Sequence, residues 1–279
     1  MKFLICGLGR MGRIHKKYIE QLGIEWFYYD PSPSIQGYFT KNHISDLSNI
    51  KDIGITHAII SSNEDMHYKN YIDLREFGFK GPILIEKPVV LDKQHFSVFN
   101  DPLVTAGFVE RNNPAVEVLK NNIDLDNLVS VDFTRCSVSS ASNHRVNSFI
   151  DVGIHDIDLF FYLFGNQEPE EYDFKGYSNT YVLTATSTSG FLSRFIWSNE
   201  TCFKERKIIA RHKNYTLVVD LIDQIVRKES SDNSGRVITQ TLYVEKASPI
   251  LCQLNNFINN KSYCAGEKSH SFYLRLKNC

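Results

Sequence analysis

The sequence predicts an α/β protein with two domains. The first is built on a doubly wound parallel sheet, and the second is an α+β domain with a mostly antiparallel open sheet. Three observations predict this fold. Apolar runs alternate with helix-like segments over about the first 110 residues, which is typical of βαβ units. Beyond about residue 125, strand-like runs follow one another with only short turns. The length of 279 residues is more than one hydrophobic core usually holds.

The N-terminal strands are predicted from apolar runs without alternation, as expected where helices cover both faces of a sheet. Two segments with helical spacing each end in a glycine, RIHKKYIEQLG and HYKNYIDLREFG. Glycine ends helices because it adopts the left-handed conformation at little cost. The predicted strands are KFLICG, EWFYYD, HAIISS, ILIE and LVTAGFVE. We place this Rossmann-like domain at residues 1–112 and the second domain at residues 113–279.

In the second domain, one helix from about Asp151 to Phe164 interrupts the strands, and a final helix is predicted at 248–259. The predicted strands are LVSVDFTRC, EYDFKGYS, YVLTATST, FLSRFIW, KIIARH, YTLVVDLI and RVITQTLYV. An open sheet left bare would expose apolar area. We therefore expect a homodimer or homotetramer that forms through this sheet.

Charge and composition argue against several classes of protein. The formal net charge is -1 without any long charged block, which disfavours nucleic acid or a membrane surface as the main partner. The start, MKFLICGLGR, has too short an apolar run for a signal peptide, and no later run approaches the ~18 residues of a membrane span. The six cysteines stand outside any C-x-x-C pair, which suits a reducing compartment. We expect a cytoplasmic protein.

A glycine-rich turn follows the first predicted strand. Residues 7–12 are GLGRMG and match the G-x-G-x-x-G fingerprint of dinucleotide-binding domains. The glycines permit a tight turn and a close approach of the pyrophosphate, and the following helix presents its N-terminus to the phosphates. Asp30 ends the next predicted strand, where a carboxylate binds the adenosine ribose hydroxyls. The predicted cofactor-binding residues here are Gly7, Gly9, Arg10, Met11, Gly12 and Asp30. Asp30 favours NAD because a carboxylate repels a 2′-phosphate, whereas Arg10 keeps NADP open.

Four further stretches resemble, in chain order, motifs of one family of oxidoreductases. Residues 61–67 are SSNEDMH, 86–88 are EKP, 107–114 are GFVERNNP and 151–158 are DVGIHDID. They are similar to the T-P-N-x-x-H segment, the E-K-P motif after a fifth strand, the domain crossover and the D-x-G-x-H-D-x-D segment. The family comprises glucose-fructose oxidoreductases, inositol dehydrogenases and rhizopine-catabolism proteins, abbreviated Gfo/Idh/MocA. The resemblance covers roughly residues 1–165.

The resemblance implies hydride transfer between a nicotinamide cofactor and a hydroxyl or keto carbon, usually of a sugar, a sugar nucleotide or a cyclitol. The implied catalytic residues are Lys87, Asp151 and His155. Lys87 would donate to the substrate oxygen, and His155 would take or return the hydroxyl proton. Further cofactor-binding residues are Ser61, Asn63, His67, Glu86 and Lys87, with helix capping as a second role for His67. The substrate-binding residues are Lys87, Arg111, Asn112, Arg145, Asp151 and His155.

Several alternatives stay open from the sequence. A sugar nucleotide is the preferred substrate, because Arg145 in a polar loop suits a diphosphate, and inositol or a free sugar is the second choice. A non-catalytic nicotinamide-binding regulator, or a reductase of another carbonyl or double bond such as a tetrapyrrole, is the competing function. We predict no metal, because His155, Asp156 and Asp158 point in different directions from one helix. Asp158 is expected to cap the helix or form a salt bridge.

Overall fold

The structure is a computed structural model that describes residues 1–32, 40–138, 147–165, 167–261 and 266–278. The chain divides into two compact units. The first comprises Met1–Phe108 and Gln253–Ser271, and the second comprises Val109–Cys252 and Phe272–Cys279. The first therefore ends before the boundary predicted at residue 112. It also includes a C-terminal segment that the sequence pattern assigns to the second domain.

A parallel five-stranded sheet organises the first unit, with strand order β2-β1-β3-β4-β5. Its strands are β1 Lys2–Cys6, β2 Glu25–Tyr29, β3 His57–Ile60, β4 Ile83–Glu86 and β5 Val104–Gly107. The apolar side chains of β1, β3 and β4 are fully buried, which explains the absence of alternation in these runs. The prediction of a parallel sheet is confirmed.

Chain order changes direction in this sheet between β1 and β3, because β1 is flanked by β2 on one side and β3 on the other. In doubly wound sheets, ligands bind at such a switch point, beyond the carboxyl ends of the strands. The glycine turn follows β1 and Ser61 follows β3, so both lie at this point. The strand before Lys87 is β4, the fourth in chain order and not the fifth.

An eight-stranded sheet organises the second unit, with order β13-β12-β11-β10-β6-β9-β8-β7. All neighbouring pairs are antiparallel except β6 and β9, so the predicted mostly antiparallel sheet is confirmed. The strands are β6 Leu128–Val138, β7 Pro169–Tyr177, β8 Thr180–Ser187, β9 Leu192–Thr201, β10 Glu205–His212, β11 Thr216–Asp220, β12 Ile225–Ser231 and β13 Val237–Leu242. The sequence pattern missed β12, whose segment IVRKESS is mostly polar.

The helices are α1 Arg10–Gln21, α2 Ile50–Ile53, α3 His67–Glu76, α4 Pro114–Asn122, α5 Ile154–Phe164, α6 Pro249–Ile258 and α7 Glu267–Lys277. The predicted final helix corresponds to α6, and α7 was not predicted. Within the described ranges, no helix has the length and apolar character needed to cross a membrane.

A cleft of about 700 Å³ lies on one face of the eight-stranded sheet. Asp132 at this cleft is paired with Arg194, at 3.1 Å, and with Arg211, at 2.5 Å. Leu192 also lines the cleft and is 58% exposed. Association of copies through the sheet stays a prediction.

Candidate active site

The glycine turn is held by contacts that leave no room for side chains at two positions. Gly7 has a φ of +92°, and a Cβ built there would lie 2.4 Å from the backbone of Ser62. A Cβ at Gly12 would lie 2.1 Å from the carbonyl oxygen of Gly7. Gly9 is different, because a Cβ there meets nothing within 4 Å. Gly7 and Gly12 are therefore required by the protein's own packing, whereas Gly9 faces open space.

Asp30 is 8% exposed and joins the glycine turn to the end of β2. Its Oδ2 accepts from the Leu8 N–H at 2.8 Å, and its Oδ1 accepts from the Ser32 N–H at 2.9 Å. Asp30 thus joins the glycine turn to the chain after β2 through both of its carboxylate oxygens.

A cleft of about 430 Å³ opens at the switch point. Ser61 closes one side of it, where its Oγ donates to the Gly7 carbonyl at 2.9 Å. Asn63 is exposed at the cleft and precedes the 3₁₀ turn Glu64–Met66. Arg10 is exposed and Met11 half-buried in the first turn of α1. The cleft is lined by Gly7, Gly9, Asp30, Pro31, Ser32, Ser61, Ser62, Asn63 and Met66. The structure thus brings several predicted cofactor-binding residues together.

Lys87 is half-buried directly after β4, and the Lys87–Pro88 peptide bond is cis. Its neighbour Glu86 is 6% exposed, and the Glu86 Oε1 lies 2.6 Å from the Nε2 of His15. His15 belongs to α1 and is fully buried. A buried carboxylate needs such a partner. This contact accounts for the acid at the end of an apolar strand, and sequence reasoning missed His15.

His67 begins α3 and is 2% exposed. Its Nδ1 lies 2.8 Å from the Pro88 carbonyl oxygen, and its Nε2 lies 3.0 Å from the Ser62 carbonyl oxygen. The N-cap residue of α3 is Met66, without a side-chain capping bond. The capping role suggested for His67 is therefore wrong, because both ring nitrogens face backbone carbonyls outside the helix.

In the second unit, Asp151 lies in a π-helical turn, Phe149–Gly153, that leads directly into α5. The predicted helix is thus interrupted at its start, and such turns occur frequently at functional sites. Asp151 is exposed, whereas His155 is half-buried in the first turn of α5.

Two aspartates in α5 are tied to neighbouring elements. Asp156 accepts from Arg135 of β6 at 2.8 Å and from the Trp197 indole N–H of β9 at 2.9 Å. Asp158 forms a bidentate ion pair with Arg111, as the salt-bridge prediction for Asp158 requires. These contacts hold α5, and with it His155, against the sheet and the 3₁₀ turn Val109–Asn112.

The predicted substrate-binding residues are placed as follows. Arg111 and Asn112 are half-buried in the turn Val109–Asn112. The Arg111 guanidinium is engaged with Asp158, and its substrate contact stays a prediction. Arg145 lies outside the described residues. Lys87 belongs to the first unit, whereas Asp151 and His155 belong to the second.

Comparison with known proteins gives matches in structure. No family model and no curated protein sequence matches the chain. The fold is similar to UDP-N-acetylglucosamine 3-dehydrogenase GnnA from Acidithiobacillus ferrooxidans, with a TM-score of 0.86, 15% identity, and coverage of 100% of this chain and 97% of that one. It is similar to levoglucosan dehydrogenase in complex with NADH, with a TM-score of 0.83, 15% identity, and coverage of 100% and 96%. It also resembles a probable dehydrogenase from Thermotoga maritima, with a TM-score of 0.77, 18% identity, and coverage of 100% and 95%. These similarities establish the fold over the whole chain.

Proposed function

We propose that the protein is an NAD-dependent oxidoreductase that transfers a hydride at a hydroxyl or keto carbon of a sugar or sugar nucleotide. The observation that carries this proposal is the cleft at the switch point, where the glycine turn, Asp30 and Ser61 meet. The chemistry of these groups fits a dinucleotide, because backbone N–H groups bind phosphates and a carboxylate accepts from ribose hydroxyls. The space next to the Gly9 backbone is open, so a phosphate group can approach it closely.

Each catalytic role follows from the chemistry of the side chain. A bound nicotinamide would supply or accept the hydride. Lys87 would donate a hydrogen bond to the substrate oxygen and stabilise the negative charge that develops on it. His155 would hold and move the hydroxyl proton, and Asp151 would orient the imidazole or accept from a second hydroxyl. Arg111, Asn112 and Arg145 would bind the remainder of the substrate.

The substrate class is supported by two of the structural neighbours, UDP-N-acetylglucosamine 3-dehydrogenase and levoglucosan dehydrogenase. The test is a two-stage screen. NAD⁺ and NADP⁺ binding is measured first, and thermal shift of the loaded protein against sugar nucleotides, free sugars and cyclitols follows, because a bound ligand raises the melting temperature. Turnover is then followed by NADH absorbance. Cofactor binding without turnover on the whole panel would favour the non-catalytic regulator instead.

Alanine substitutions at Gly9 and Gly12 are expected to have different effects. Gly12→Ala places a Cβ 2.1 Å from the Gly7 carbonyl oxygen, so it should destabilise the first unit by about 1–3 kcal/mol. Gly9→Ala meets open space and should leave the melting temperature unchanged. If a dinucleotide lies against Gly9, the same methyl group should weaken its binding roughly 5- to 150-fold. Thermal unfolding measures the loss of stability expected for Gly12→Ala, and fluorescence titration with NADH measures the loss of cofactor affinity expected for Gly9→Ala. Unchanged affinity in Gly9→Ala would contradict the proposed pyrophosphate position.

Asp30→Asn is expected to raise the affinity for NADPH relative to NADH by roughly fivefold, since it removes about 1 kcal/mol of repulsion toward a 2′-phosphate. Asparagine keeps one oxygen that can accept a backbone N–H, as Asp30 accepts from Leu8. The matched control is Asp52→Asn, which removes an exposed carboxylate from α2 of the same unit. Both variants are titrated with NADH and NADPH. An unchanged ratio in Asp30→Asn would mean that Asp30 does not set the cofactor preference.

A further inference from the structure

Three buried histidines surround the backbone on either side of Lys87. His15, His67 and His270 contact residues 86–89, and each comes from a different helix, α1, α3 and α7. Their exposures are 0%, 2% and 0%. We call these residues the histidine collar. All of its contacts lie within the first unit.

His270 has a defined tautomer. Its Nε2 accepts from the Val89 N–H at 2.8 Å, so the ring proton must be on Nδ1, which lies 2.7 Å from the Gly266 carbonyl oxygen. The ring is therefore neutral. It packs between Phe99 and Phe108, with ring centroids at 5.0 and 5.5 Å. A ring fixed by two hydrogen bonds and two aromatic contacts holds the Val89 amide at a set position.

His67 lies between two backbone carbonyl groups. Both of its ring nitrogens lie within hydrogen-bond distance of carbonyl oxygens, those of Pro88 and Ser62, and a carbonyl oxygen only accepts. His67 thus connects the residue after Lys87 to Ser62 in the wall of the cofactor cleft.

His15 connects the other side of Lys87 to the glycine turn. It lies on α1, which begins directly after Gly9, and its ring contacts the buried carboxylate of Glu86. The collar therefore joins the two walls of the cleft to the residues before and after Lys87.

We propose that His15, His67 and His270 are positioning residues for Lys87, which they fix at the edge of the cofactor cleft. This inference rests on the proposed function, in which the Lys87 ammonium must meet the substrate oxygen. A lysine side chain is a flexible chain of four carbons, so its ammonium group has a defined position only if the backbone that carries it is fixed. Since a displacement of 1 Å can cost about 100-fold in rate, the collar would act on catalysis without touching the substrate.

The test compares His270→Phe with His270→Gln. Phenylalanine keeps the packing between Phe99 and Phe108 but has no acceptor for the Val89 N–H, whereas glutamine offers an acceptor oxygen. We expect His270→Phe to lower kcat, expressed per cofactor-binding site, roughly 10- to 100-fold. KM and the affinity for NADH should stay unchanged. We expect His270→Gln to recover much of this loss. Hydrogen exchange of the Val89 amide should accelerate roughly tenfold or more in His270→Phe and return toward the wild-type rate in His270→Gln.

His57→Phe is the matched control, because His57 also lies in the first unit and packs against two phenylalanines, Phe3 and Phe257. It should change neither kcat nor the exchange of Val89. The exchange measurement needs no substrate, so it tests the collar even if the proposed function fails. Unchanged Val89 exchange in His270→Phe would overturn the inference. So would a parallel loss of kcat, NADH affinity and melting temperature that glutamine does not rescue, since that pattern indicates a purely structural histidine.

Discussion

Replacing Lys87 with alanine is expected to lower kcat by about 100- to 1,000-fold while leaving the affinity for NADH largely unchanged. The reason is that, in the proposed mechanism, the ammonium stabilises charge that develops on the substrate oxygen only during the reaction. Lys87 lies at the carboxyl end of β4, where ligands bind in doubly wound sheets. Steady-state kinetics and NADH fluorescence titration measure the two quantities separately.

Lys93→Ala is the control for this experiment. Lys93 is exposed at the start of the 3₁₀ segment Lys93–Asn100, a few residues after Lys87, so its loss should affect neither quantity. A parallel decrease of kcat and NADH affinity in Lys87→Ala would show that Lys87 binds the cofactor and does not assist the chemistry. Normal turnover in Lys87→Ala would remove the central residue of the proposed mechanism.

Replacing Arg135 with methionine is expected to destabilise the second unit by about 3–5 kcal/mol. Arg135 is 4% exposed and pairs with Asp156 at 2.8 Å and with Glu110 at 2.9 Å. Methionine fills part of the volume but removes a charge partner from both carboxylates, so that Asp156 keeps the Trp197 indole N–H and Glu110 keeps Arg206 and Asn113. A buried carboxylate that loses its charge partner is strongly destabilising.

The charge balance of this cluster supports the size of the effect. Burial raises the pKa of the Glu110 carboxyl, but the positive charges of Arg135 and Arg206 lower it by more, so that its pKa lies below the ordinary value. Glu110 is therefore ionised at neutral pH, and removal of Arg135 leaves that charge in a buried setting. Because Asp156 lies on α5, the loss should also loosen the helix that carries His155.

Thermal unfolding of Arg135→Met should show a melting temperature lower by roughly 10 °C. The control is Arg194→Met on the neighbouring strand β9. Arg194 pairs with Asp132, but its side chain is 51% exposed, and exposed ion pairs contribute about 0–1 kcal/mol. Equal effects of the two substitutions would mean that burial of the Arg135 cluster does not determine its contribution.

Local sequence signals predicted the glycine turn and Lys87 but not the buried histidines that contact the residues next to Lys87. The glycine turn was predictable because its constraints are steric and act over a few residues, as the approach of Gly12 to the Gly7 carbonyl shows. Lys87 was predicted through the resemblance of residues 86–88 to the E-K-P motif. His15 and His270 were not, because a buried histidine has no local pattern that distinguishes it from an exposed one.

The sequence by itself determined the parallel sheet of the first unit, the mostly antiparallel sheet of the second and the positions of most strands along the chain, because periodicity and turn residues are local properties. Only the tertiary structure decided what surrounds Lys87. His15 contacts Glu86 across 71 residues of chain, and His270 contacts Val89 across 181. It also placed Gln253–Ser271 in the first unit, against the predicted domain division. Contacts between residues so far apart in the sequence depend on how the helices and strands pack against one another. The residue pattern within one helix or strand does not identify its distant partner.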